Sequence, residues 1–256
     1  MNLWQAIVLG VVEGITEFLP VSSTGHLILA GRLLNLPSSE FLKTFDIAIQ
    51  SGAVIAVLVL YGRSFLVGTR VLSRVAVATL PAFAFGLLFY KFIKKSLLAN
   101  PSVVIASLVA GGFFLILFEC RYHGGKRANG SLSEISLREC FLIGCIQSLA
   151  MIPGVSRSAA AIVGGLALGL ERKTAVEFSF LLAVPTLLGA TVLDLAKTSV
   201  AFTGSEVGLL AAGLIASFVT AILAIEFLLG FLKNHSLIPF GVYRIFAAGL
   251  FWLLVR

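Results

Sequence analysis

Apolar residues run along this chain in blocks long enough to cross a bilayer, separated by short clusters of Gly, Pro and charge. Full-length spans are predicted near 44–61, 71–90, 102–119, 176–195, 207–232 and 240–255. The stretches SVVIASLVAGGFFLILF (102–118) and VGLLAAGLIASFVTAILAIEFLLGFL (207–232) are the clearest; each suffices for a hydrocarbon core of about 30 Å. Two regions resist that reading. Residues 3–34 hold a helix-length run, a break at LPVSST and a shorter run, GHLILAGRLL. Residues 139–170 repeat the arrangement as ECFLIGCIQSLAMI, a break at PGVSRS, and AAAIVGGLALGL.

The two broken regions align at a constant separation of 134 residues, the distance from Gly10 to Gly144. Glu13 falls on Gln147, Val21 on Val155, Ser22 on Ser156 and Thr24 on Ser158. The chain therefore reads as a duplication within one integral membrane domain, 1–256, with repeat 1 at about 1–120 and repeat 2 at about 136–256. Each unit is a broken segment followed by three spans. If the broken segments are re-entrant hairpins, the odd number of crossings between them inverts the second half relative to the first. The hairpins then enter from opposite faces and can meet near the midplane, where non-helical backbone is tolerated only inside protein or beside a water-filled cavity. Such paired broken helices point to a binding site. The alternative is that each is a pair of short interfacial helices. The expected fold class is an all-α polytopic membrane protein of two inverted-topology repeats, each a re-entrant hairpin plus three transmembrane helices.

Composition agrees. The chain is 59% hydrophobic and 12% charged, with mean hydropathy +1.05, where soluble domains carry about 25% charged residues. The net charge of +7 comes mostly from residues between apolar blocks, as in loops flanking spans, which argues against a nucleic-acid partner. One face carries Arg63, Arg70, Arg121, Lys126, Arg127, Arg138, Arg172, Lys173 and Lys233; the other carries Lys43, Lys91, Lys94, Lys95, Lys197 and Arg256. The larger set marks the cytoplasmic face by the positive-inside rule, so the first hairpin is expected to enter from outside. No cleavable signal is expected, because the first segment lacks a basic start and is interrupted by Glu13 and Glu17. Cys120, Cys140 and Cys145 lack metal-ligand spacing and read as small apolar residues.

The polar residues concentrate in the breaks. Glu13 and Glu17 share one helix face and repel each other there, so they call for a shared proton, a divalent metal or a cationic partner, unless their helix is interfacial and the pair solvated. Pro20 ends the helix, and Ser22, Ser23 and Thr24 suit the start of the next. A helix N-terminus offers free N–H groups to an anion such as phosphate. In the copy, Pro153–Gly154 forms the turn, Ser156 is the expected cap, and Arg157 adds a fork able to hold phosphate oxygens bidentately. Capping alone accounts for Ser22, Ser156 and Ser158 but not for Arg157 or the glutamates. The copies differ: Glu13, Glu17, Ser23 and His26 face Gln147, Met151, Arg157 and Ala160. One half looks suited to chemistry or metal binding and the other to holding an anion. His26 is either a structural hydrogen bonder or a proton donor.

At these residues the chain resembles a known family. GVVEGITEFLPVSSTGH and SLAMIPGVSRSAAAI are similar to the two signature motifs of the undecaprenyl-diphosphate phosphatases, the bacitracin-resistance membrane proteins of bacteria, and EFSFLLAVPTLLGAT (177–191) resembles the segment after the second motif. The resemblance spans essentially the whole chain. It implies hydrolysis of undecaprenyl diphosphate to undecaprenyl phosphate in the cytoplasmic membrane, recycling the carrier of peptidoglycan synthesis, at an outward-facing site with magnesium or calcium. It also implies interdigitated inverted repeats, Glu13 and Glu17 as the carboxylates and metal ligands, and Ser23 as nucleophile. His26 and Arg157 take proton-transfer and diphosphate-binding parts, with Ser22, Thr24 and Ser156 beside the diphosphate. One departure is Ala159, where the motif has Gly. The expected partners are a polyprenyl diphosphate lipid and the bilayer, with homodimerisation left open. Ser23 attacking phosphorus competes with a glutamate activating water directly. Two other classes compete with the enzyme. A carrier for an anionic lipid suits inverted repeats but needs no glutamate–serine–arginine set, and a cation pore fits poorly with Arg157 and hydroxyl-rich helix starts.

Overall fold

In a computed structural model describing residues 1–37, 39–67, 69–92, 100–122, 124, 131–197 and 203–255, the chain is helical, with no strand among the described residues. The first broken region is α1 (Leu3–Phe18) and α2 (Ser23–Leu33). Asn2 and Gln5 form a reciprocal cap at the start of α1. The helix stops because Leu19, preceding Pro20, is extended at φ −70° and ψ 146°. Gln5 Nε2 then donates to the Leu34 carbonyl at 3.2 Å, so the end of α2 returns to the start of α1. The second broken region is α6 (Leu137–Gln147), a 3-10 turn over Ser148–Met151, and α7 (Arg157–Ala167). Ile152, ahead of Pro153, is again extended.

The remaining helices are α3 (Glu40–Val67), α4 (Thr69–Phe92), α5 (Pro101–Arg121), α8 (Arg172–Lys197), α9 (Gly204–Phe231) and α10 (Ile238–Val255). Segments of α3, α4, α5, α8 and α9, 21 to 28 residues long, are apolar enough to cross a membrane. Of the six spans expected, the sixth is the short one: α10 has 18 residues, about 27 Å at the helical rise. Large apolar side chains such as Leu88, Phe113, Phe246 and Leu253 are exposed on the outer faces, as a lipid solvent requires. This is a multi-pass membrane protein. The side chains of Arg63, Lys91, Lys94, Lys95, Lys126, Arg127, Lys197 and Arg256, which entered the charge comparison, lie outside the described residues.

The correspondence between the broken regions extends to backbone geometry. Ser22 and Ser156, one repeat length apart, both adopt positive φ, 76° and 73°. At the far ends of α2 and α7, the Leu34 amide bonds Ala30 and Arg32 and the Leu168 amide bonds Gly164 and Leu166. Packing follows the same correspondence. Helix α1 lies on α9 and α6 lies on α4, while α3 packs on α8 and α5 on α10. Each hairpin therefore leans on a long helix from the other half of the chain.

Small residues make that approach possible. A side chain on Gly10 would strike the Gly213 carbonyl, and one on Gly144 the Ala78 carbonyl. Backbone cannot retreat as a flexible side chain can. Gly10→Val and Gly144→Val should each destabilise the fold by about 1–3 kcal/mol or more. Gly208→Ala, which meets nothing within 4 Å, should be neutral; thermal melts of purified protein in detergent check all three.

Candidate active site

The two hairpin turns meet. Ser158 Oγ, on the first turn of α7, donates to the Leu19 carbonyl of the first turn at 2.8 Å. Arg157, the first residue of α7, reaches Glu17 at the end of α1: Nε and Nη2 donate to Glu17 Oε1 at 3.3 and 3.1 Å. Its Nη1 donates to the Ser179 carbonyl of α8 at 3.1 Å. Ser23 Oγ donates to the other Glu17 oxygen, Oε2, at 2.5 Å. One carboxylate thus joins a hydroxyl from its own hairpin to a guanidinium from the other. Phe18 closes one side of the junction, edge-on to Phe180 with ring centroids 5.3 Å apart.

Glu13 and Glu17, equivalent by spacing, are not equivalent in place. The cationic partner that the pair calls for is Arg157, and it takes Glu17. Glu13 is fully buried, and neither of its oxygens has a hydrogen-bond partner among the described residues. Asp46 Oδ1, Gln147 Oε1, Ser179 Oγ and Ser217 Oγ are likewise buried and unpartnered. Such groups need a proton, a water or an ion. All are oxygens, the donor type that magnesium and calcium prefer. Glu13, whose carboxyl lies beside Glu17 and Asp46, fits such an ion, although no three His, Cys, Asp or Glu side chains gather as a metal cluster among the described residues.

The helix starts also differ. Ser156 caps α7, its Oγ accepting the Ala159 amide at 3.2 Å. Ser22 makes no side-chain cap on α2, contrary to the expectation from its residue type. The first-turn amides of Ser23, Thr24 and Gly25 are therefore left without that competitor for an anion. Thr24 is half-buried on this turn. His26 turns away from Glu17: Nδ1 bonds the Ser22 carbonyl at 2.7 Å and Nε2 the Tyr243 hydroxyl at 2.8 Å. A carbonyl only accepts, so Nδ1 carries hydrogen, and in the neutral ring Nε2 accepts from Tyr243. Tyr243 also stacks on the imidazole, with rings 7° from parallel.

A family model described as "Bacitracin resistance protein BacA" matches residues 6–250. The chain belongs to the bacitracin resistance protein BacA family. Curated relatives agree. The protein named undecaprenyl-diphosphatase of Aquifex aeolicus is 48% identical over 245 residues, covering 96% of this chain and 95% of its own. Those so named from a Sulfurihydrogenibium species and Persephonella marina are 48% and 45% identical over 254 and 255 residues, with 99% and 100% of each chain covered.

Within this BacA-family site, sequence spacing missed Tyr243, Arg244, Ser179 and Asp46. For Arg244 the signal was present: a lone arginine inside the apolar stretch 240–255 is an intramembrane charge and a functional candidate by default. Asp46, inside the predicted span 44–61, carried the same mark, whereas Ser179 carries none.

Glu17 and Arg157 are both largely shielded, with side chains 4% and 12% exposed. Removing only the guanidinium strands a buried carboxylate, so Arg157→Met should cost about 3–5 kcal/mol. The double variant Glu17→Gln/Arg157→Met should recover most of that loss. Unfolding titrations in mixed micelles check the cycle.

Proposed function

We propose that this BacA-family chain hydrolyses undecaprenyl diphosphate to undecaprenyl phosphate and inorganic phosphate at the junction of its hairpins, returning the carrier lipid of peptidoglycan synthesis. The observation that carries the reading is the Ser23–Glu17–Arg157 constellation. A hydroxyl donates to a carboxylate that a third group holds in place, the arrangement of an activated nucleophile. The names and full-length coverage of the relatives support it.

The chemistry is phosphoryl transfer dominated by positioning and charge stabilisation. Arg157 keeps donors beyond those given to Glu17 and Ser179, and these, with the uncapped start of α2, hold the diphosphate oxygens. Glu17 takes the Ser23 proton as Oγ attacks the terminal phosphorus. The new O–P bond forms as the bond to the bridging oxygen breaks, and undecaprenyl phosphate leaves. Water then cleaves the phosphoserine to release inorganic phosphate. Both nitrogens of His26 are engaged, Nδ1 by the Ser22 carbonyl and Nε2 by the Tyr243 hydroxyl, so a proton it exchanges moves through Tyr243 rather than directly to Glu17. Magnesium or calcium belongs to this reading, with Glu13 its first ligand; when bound, the cation neutralises charge on the diphosphate. The setting is the bacterial cytoplasmic membrane, with the halves inverted and the site opening outward. The basic residues Arg70, Arg121, Arg138, Arg172, Lys173 and Lys233 support that orientation.

Purified protein should release phosphate from undecaprenyl diphosphate, and EDTA should abolish release. Glu17→Ala and Arg157→Ala should each lower kcat by about 100-fold or more. Absence of release by well-folded wild type across several prenyl lengths would instead favour the anionic-lipid carrier.

The nucleophile is separable from its alternative. Substrate labelled on the terminal phosphate and quenched within one turnover should leave label on Ser23. Ser23→Ala should then lose both label and turnover. Near-normal turnover in Ser23→Ala would assign the attack to water activated by Glu17.

A further inference from the structure

Arg244 stands in α10, fully buried, and its guanidinium meets no carboxylate among the described residues. Its partners are backbone carbonyls from three separate segments. Nη1 donates to Pro20 of the first turn at 3.4 Å and to Val155 of the second at 3.0 Å. Nη2 donates to Gly154 of the second turn at 2.7 Å and to Ser107 of α5 at 3.1 Å. One side chain thus holds both turns and anchors them to α5.

Burying a charge without a counter-ion is costly, and well-packed apolar residues would fill the same space at lower cost. What they would not supply is a planar fork of donors that fixes several acceptors at once. The surroundings are cut to admit it. A side chain on Gly111 would overlap the guanidinium. Gly154, at φ +95°, could not carry one without meeting the Val104 carbonyl at 2.7 Å and Ser107 Cβ at 2.8 Å. No peptide bond here is cis, so the Val155 carbonyl facing Arg244 turns the Ser156 amide the opposite way, at the start of α7.

We propose that Arg244 is a positioning residue that sets the start of α2 against the start of α7, so that Ser23 and Arg157 engage one diphosphate together. It acts through the Pro20, Gly154 and Val155 carbonyls rather than on the substrate. The proposal rests on the phosphatase reading above, and goes beyond it by placing α10 in control of the two-hairpin geometry.

The test compares wild type, Arg244→Lys and Gly111→Ala in detergent, with steady-state phosphate release from undecaprenyl diphosphate and size-exclusion profiles. Lysine keeps the charge but loses the fork; Gly111→Ala keeps the arginine and displaces its head group. Both should stay monodisperse, raise KM about tenfold and lower kcat/KM about 100-fold, the scale on which small misplacements act. A fall in kcat alone at wild-type KM is what a reduced folded fraction gives, and would overturn the proposal. So would wild-type kcat/KM in both variants, or aggregation of both, which assigns Arg244 to the fold alone. Failure of wild type to release phosphate rejects the phosphatase reading independently of either variant.

Discussion

The carbonyls of Leu19, Pro20, Gly154 and Val155 have lost their helical partners, and the apolar helices around them leave protein as the main supplier of donors. Ser158 takes Leu19, and Arg244 takes the other three. Arg244 comes from outside the hairpin pair, and Ser158 crosses from one hairpin to the other. The Leu19 carbonyl also takes the Val21 amide of its own turn at 2.7 Å, but for the other three carbonyls the donor is a neighbour. These bonds fix the two broken helices together. The tip where backbone is least regular becomes the place where the two halves are most tightly joined.

The two broken regions share a backbone scaffold and differ in the side chains they carry. The shared features are backbone ones: positive φ at Ser22 and Ser156, matched caps at Leu34 and Leu168, and glycine contacts at Gly10 and Gly144. The side chains at matched positions then take different parts. Ser23 is a hydroxyl donor to Glu17 where its counterpart, Arg157, is the cation that holds Glu17 from the other side. Glu13 is an unpartnered carboxylate where Gln147 is a neutral amide, also unpartnered at Oε1. A symmetric pair of glutamates at those positions would add a further buried negative charge to the junction, where the proposed mechanism seats a diphosphate.

Much of this was legible in the sequence because it depends on local chemistry. The spans followed from apolar length, the breaks from Pro20 and Pro153, and the meeting of Glu17, Ser23 and Arg157 was anticipated by a repeated hydroxyl-rich turn. Ser22 shows where local rules end. It has the right residue type for a cap, but at φ 76° its side chain makes no cap bond while its carbonyl serves His26. The division of labour between Glu13 and Glu17 was illegible for a different reason. Their spacing makes them equal on the helix, and only the distant Arg157 separates them. Tyr243 and the Ser179 carbonyl are illegible in the same sense, since their roles come from long-range packing.

The choice of arginine at 157 follows from the number of things this cation must do at once. It pairs Glu17 through Nε and Nη2 along one edge, and anchors to the Ser179 carbonyl through Nη1. The remaining N–H groups lie in the same plane without a hydrogen bond among the described residues, and in the proposed mechanism they take phosphate oxygens. A lysine ammonium is a compact charge without that fixed geometry. It could neutralise Glu17, but on approaching phosphate it would have to loosen the carboxylate or the carbonyl. With arginine, the group that keeps Glu17 oriented toward Ser23 need not let go when the anion arrives. In the proposed mechanism, Ser23, Glu17 and Arg157 therefore stay in register through the reaction.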